Sequence, residues 1–119
     1  KENKFNMAFF MLETLHRSFI NCINSALNND MVNWHKNVLA VNRILSPFMS
    51  EEDEKEILKL RTQAAQVVGK LNNSPNSFIM KNKAYSVLNE MEIKLRKITY
   101  DAGLYMATES EFHSVFGGN

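Results

Sequence analysis

The sequence predicts an all-α protein, an antiparallel four-helix bundle (up-down-up-down) with a short C-terminal helix. Three observations carry this prediction. Apolar residues recur at alternating steps of three and four in four separate stretches, which places each set on one face of an α-helix. The breaks between stretches are short and rich in Asn, Ser, Pro and Gly, residues that favour turns. No segment shows the period-two alternation of a half-buried strand.

The first stripe is Phe5, Phe9, Leu12, His16, Phe19, Ile23 and Ala26, which predicts a helix over about 5–28. Asn28-Asn29-Asp30 closes it and offers an N-cap to the next helix. The second stripe, Met31, Trp34, Val38, Val41, Leu45 and Phe48, predicts a helix over about 31–46. Pro47 stops it, because proline lacks the N–H and pushes Ser46 out of helical geometry. Ser50-Glu51-Glu52-Asp53 resembles a capping box with Asp in the third place, and its acids meet the positive end of the helix dipole. The helix it opens, over about 51–71, carries Ile57, Leu60, Ala64, Val67 and Leu71. After the turn Asn72-Asn73-Ser74-Pro75-Asn76, a fourth helix over about 77–102 carries Ala84, Leu88, Met91, Leu95, Ile98 and Ala102. Gly103 is placed as its C-cap with Leu104 as the accompanying apolar contact. A second capping box, Thr108-Glu109-Ser110-Glu111, opens a short helix over 109–116, and Gly117-Gly118-Asn119 follows it as a frayed end. Connections this short set successive helices antiparallel, within one domain of 119 residues.

Composition excludes several classes. Charged residues are 23% and hydrophobic ones 45%, so the chain is globular and not disordered. A net charge of +1 supplies no global field to draw in nucleic acid or an anionic membrane. No apolar run approaches the ~18 residues of a membrane span. The single cysteine, Cys22, excludes an internal disulfide framework and reads as a small buried hydrophobe.

The chemistry-bearing motifs are incomplete. Glu13-Thr14-Leu15-His16 has the Glu-x-x-His spacing of carboxylate-bridged di-iron bundles, but no second copy exists to complete the metal pair. His16 therefore reads as a core histidine, and the chain implies no metal or other cofactor. Cys22 has no acidic orienter on its helix that would make a Cys–His nucleophile. No nucleophile elbow or glycine-rich phosphate loop occurs, so no catalytic residue is nominated and a non-enzymatic protein is expected. The acidic run Glu51 to Glu56 has no matching pair on the fourth helix and reads as a solvated helix start.

Two surface readings remain. The basic residues Lys81, Lys94, Arg96 and Lys97 of the fourth helix are the nucleic-acid candidates. They scatter around its polar arc and interleave with Glu90 and Glu92, which makes nucleic acid the weaker partner class. The surplus of apolar residues is the stronger signal: Met7, Phe10, Met11, Leu39, Ile93, Tyr100, Phe112 and Phe116 fall outside the core stripes and are the interface candidates. They point to a protein-interaction or assembly module, a homo-oligomer with a dimer as the first expectation, or else one with a hetero-protein partner. A ligand or catalytic site formed between subunits is the third reading.

The segment from Trp34 through Val38 and Leu39 to Leu45-Ser46-Pro47-Phe48-Met49, together with Lys94-Leu95-Arg96 and Ala102-Gly103-Leu104-Tyr105-Met106, resembles small all-helical proteins encoded by phages and mobile elements. The likeness covers about half of the chain, and its motifs are structural: a core tryptophan, a helix stop and a C-cap. It implies a phage-encoded accessory protein that acts by binding, in the host cytoplasm or the virion. Because those proteins carry no assigned activity, it transfers no site residue.

Overall fold

The structure is a computed structural model that describes the backbone of residues 2–104 and the side chains of residues 10–104. Four helices make up the described chain: α1 over Glu2–Leu27, α2 over Met31–Leu45, α3 over Glu51–Asn73 and α4 over Phe78–Asp101. No strand occurs among the described residues, and the fold is the all-α bundle of four antiparallel-connected helices. The helix expected over 109–116 lies outside the described residues.

The caps show why the helices stop where they do. At the end of α1, Asn29 takes a left-handed φ of 55°. The Asp30 N–H then donates to the Ser25 carbonyl and the Asn29 N–H to the Ala26 carbonyl, closing a Schellman turn. Asp30 serves both helices, because its carboxylate accepts the Asn33 N–H at 3.1 Å and caps α2. Pro47 lies in a single 3-10 turn over Ser46–Phe48, and extended Met49 then leads into α3. Ser50 accepts the Asp53 N–H and Ser77 the Met80 N–H, capping α3 and α4. Gly103, with φ of 71°, closes α4 by a second Schellman turn in which the Leu104 N–H donates to the Thr99 carbonyl; Leu104 itself is buried.

The most extensive packing joins α1 to α2 and α3 to α4, and α2 ties the two pairs together by lying on α4 and, more lightly, on α3. One continuous core results, from Leu12, Leu15, Phe19 and Cys22 of α1 through Trp34, Val38, Val41 and Leu45 of α2 to Ile57, Ala64, Val68 and Leu71 of α3 and Ala84, Leu88, Met91, Leu95 and Ile98 of α4. At 1.5 Å per residue, α1 is about 17 Å longer than α2. Because a tight turn joins their facing ends, the surplus lies at the start of α1, beyond the end of α2.

Stripe positions on three helices differ from expectation. The buried face of α1 is Leu12, Leu15, Phe19 and Cys22, so the helix is turned about 50° from the predicted stripe. Ile23 is consequently 46% exposed, and His16 is only half-buried. Phe48, expected at the end of the second stripe, is exposed because the 3-10 turn redirects the chain after Leu45. On α3, Val68 is buried and Val67 only half-buried, a shift of one residue.

Candidate functional site: the outer seam of α1 and α4

A polar cluster lies where α1, α2 and α4 meet. Glu92 of α4 is its hub. Its carboxylate accepts the Trp34 indole N–H of α2 at 2.8 Å and the Arg96 Nε–H at 2.9 Å. The Cys22 thiol of α1 lies close enough to feel its charge. The Arg96 guanidinium covers the Phe19 ring at 4.4 Å, so one arginine closes an ion pair within α4 and a cation–π contact to α1. Tyr85 packs edge-on against Trp34 with ring centroids 5.2 Å apart. The cluster explains how α1 reaches α4: long side chains bridge the two helices, while the α1 backbone packs mainly on α2.

Cys22 is fully buried, and burial together with the Glu92 charge pushes its thiol up to about 12, against which Arg96 pulls only partly. The thiolate that nucleophilic chemistry needs is suppressed. Burial also lowers His35, whose Nε2 is buried without a hydrogen-bond partner. Glu13 pairs with Arg17 at 2.9 Å, one turn along the exposed side of α1. Among the described residues, no group of three or more His, Cys, Asp or Glu is placed to hold a metal ion.

Outside this cluster the seam is apolar on both walls. On α1, Ile20, Ile23 and Leu27 are 56%, 46% and 77% exposed. They fall within about 60° of arc, and the strip begins about 40° beyond Phe19, the α1 ring that reaches α4. On α4, Phe78, Tyr85, Ile93 and Tyr100 are 75%, 47%, 59% and 75% exposed. They span about 80° of arc around the direction of Arg96, which reaches α1. Ile93 and Tyr100 therefore flank the same seam as the α1 strip from its solvent side, with Tyr85 at its end, while Phe78 continues the α4 strip about 15 Å beyond the end of α1. Asn82 and Asn89 lie among the α4 residues, and no unpaired charge crosses the arc. All seven side chains are about half to three-quarters exposed, and clustered exposed apolar side chains mark contact surfaces.

The structure disperses the sequence candidates. Ile93 and Tyr100 lie on this face. Phe10 is 61% exposed on the part of α1 that overhangs α2. Met11 and Leu39 instead pack against the core and leave only part of their surface outside. Met11 turns inward for the same reason that Ile23 turns outward, the rotation of α1. The side chains of Met7, Phe112 and Phe116 lie outside the described residues.

The basic candidates are not gathered into one patch. Lys94 reaches across to α3, where it meets Asp53 at 2.9 Å and Glu56 at 3.0 Å. Arg96 is held by Glu92, Lys81 is half-buried, and Lys97 is exposed. Sequence reading missed Ile20, Leu27, Phe78 and Tyr85 as surface residues. The available signal was their seven-residue spacing, Ile20 to Leu27 and Phe78 to Tyr85, which repeats one helix face nearly every two turns.

Compared with protein-family models, with curated proteins and with solved structures, the chain matches none. Among the described residues no helix is long and apolar enough to cross a membrane.

Proposed function

We propose that this protein is a non-enzymatic interaction module that self-associates through the α1/α4 face. The carrying observation is the pair of exposed apolar strips, Ile20-Ile23-Leu27 on α1 and Phe78-Tyr85-Ile93-Tyr100 on α4, of which all but Phe78 lie along the α1/α4 seam. A two-fold arrangement lets the α1 strip of one copy meet the α4 strip of the other and covers both at once, the self-complementarity that closed dimers require. Burying one Leu or Phe contributes about 1.5–3 kcal/mol, so a few such residues outweigh the entropic cost of association. The resemblance to small phage and mobile-element proteins supports a role in binding without catalysis. The dispersal of Lys94 and Arg96 into ion pairs weighs against nucleic acid as the partner.

Light scattering across concentration tests this reading. The wild-type chain is expected to be dimeric at ~100 µM, and Leu27→Asp or Tyr100→Asp, both at surface positions, to shift it to monomer with the circular dichroism of helix retained. A wild-type chain monomeric at that concentration would exclude self-association and leave a hetero-protein as the occupant of the face.

A further inference from the structure

A different helix pair holds a second feature. A cleft of about 720 Å³ opens between the second half of α2 and the first half of α3. Its cause is local. The 3-10 turn at Ser46–Phe48 and the extended Met49 carry the chain outward before α3 begins, and α2 leans on α4 more than on α3. The volume lies within the range of small-molecule sites.

The lining is chemically uneven. Leu39, Pro47 and Met49 supply apolar surface, while Arg43 enters from α2 and Arg61 from α3. Arg17, Lys94 and Arg96 each have a carboxylate within 3.0 Å, whereas no ion pair among the described residues takes Arg43 or Arg61. Two guanidiniums, one on each wall, offer forked donors suited to one oxyanion. Glu54 also lines the cleft, two turns before Arg61 on the same face of α3, about 10 Å along the helix. It stands at the Ser46 end, where α2 and α3 are joined and run antiparallel, and Arg43, three residues before Ser46, stands at that end as well. A second anionic group that reaches past the arginines to Glu54 meets a like charge.

We infer that this cleft binds a small amphiphilic anion, with one carboxylate or phosphate head held by Arg43 and Arg61 and a short apolar body against Leu39, Pro47 and Met49. Because the cleft is open to water, binding is modest and specific to one-headed anions.

Titrations followed by ¹⁵N–¹H correlation spectra at ~150 mM salt test this inference. The probes are hexanoate, hexyl phosphate, hexanol and adipate. Hexanoate or hexyl phosphate is expected to produce saturable shifts confined to residues 39–61, with a Kd of about 1 mM or tighter, and the tighter of the two identifies the head group. Hexanol should not saturate, and adipate, which carries a second carboxylate to Glu54, should bind at least about fivefold more weakly than hexanoate. The double variant Arg43→Gln/Arg61→Gln should lose saturation, while Arg17→Gln should leave it unchanged. Both arginines are exposed, so the double variant should retain its fold, which its own spectrum reports. No saturation by either anion below about 10 mM, or saturation that survives the double variant, would overturn the site. Adipate binding as tightly as hexanoate would overturn the one-headed assignment.

Discussion

Trp34 does two jobs that a substitution pair separates. Its ring fills the space between α1, α2 and α4, and its indole N–H satisfies Glu92. Trp34→Phe keeps most of the ring and removes only the donor, which should cost about 1–3 kcal/mol. Trp34→Ala also opens a cavity and should cost about 3–5 kcal/mol, a large share of a small domain's stability. Urea denaturation distinguishes them, and equal losses would mean that the hydrogen bond to Glu92 is the whole contribution. Cys22 is tested by reactivity. A thiol that is fully buried and pushed up to about 12 should resist a disulfide reagent such as dithionitrobenzoate in the native state and react promptly in urea. Rapid native-state labelling at neutral pH would show that the cluster opens. Trp34 and Cys22 were legible as core residues because their helical positions are apolar on either side. Glu92 was not, since its position at the edge of the α4 stripe reads as solvated until a neighbouring helix supplies an indole donor.

At the scale of elements, α3 and α4 are fastened by Lys94. Its ammonium joins Asp53 and Glu56 at the start of α3, and this bond holds Asp53 below its ordinary 3.8 and raises Lys94 above its ordinary 10.5. A carboxylate depressed on folding contributes stability that is present above its unfolded pKa and lost as pH falls through its folded one. A raised lysine contributes stability that is present below its unfolded pKa and lost as pH rises through its folded one. Acid unfolding between about pH 4 and 2 should therefore be less steep in Lys94→Met than in wild type. The effect at neutral pH should be small, within about 1 kcal/mol, since the pair is partly solvated. Unchanged acid steepness in the variant would remove the fastening role. Caps were the most legible elements, because Asp30, Ser50 and Gly103 act through the local backbone; Pro47 ends the α-helix as expected, but Ser46 before it keeps helical angles (φ −49°, ψ −44°) because the chain tightens into a 3-10 turn there. The rotation of α1 was not legible. Both its Leu12-Leu15-Phe19-Cys22 side and its Phe9-His16-Ile20-Ile23 side carry apolar residues, and periodicity alone does not say which one faces α2.

At the scale of the molecule, that double-sided α1 is the central point. A four-helix core consumes one face of each helix, and α1 has more apolar surface than its neighbours cover. The fold was readable from the sequence because each stripe needs a partner and four stripes supply one another. The exposed apolar face was readable only in part, since Ile93 and Tyr100 stood out by position, while Ile20 and Leu27 became surface residues only once α1 was seated. The most direct measurement is isotope-filtered NMR on a mixture of ¹³C-labelled and unlabelled chains. The self-association account predicts intermolecular NOEs from the methyls of Ile20, Ile23 and Leu27 to the rings of Phe78, Tyr85 and Tyr100. A mixture at ~1 mM that shows no intermolecular NOE, or shows them only from α3, would contradict it.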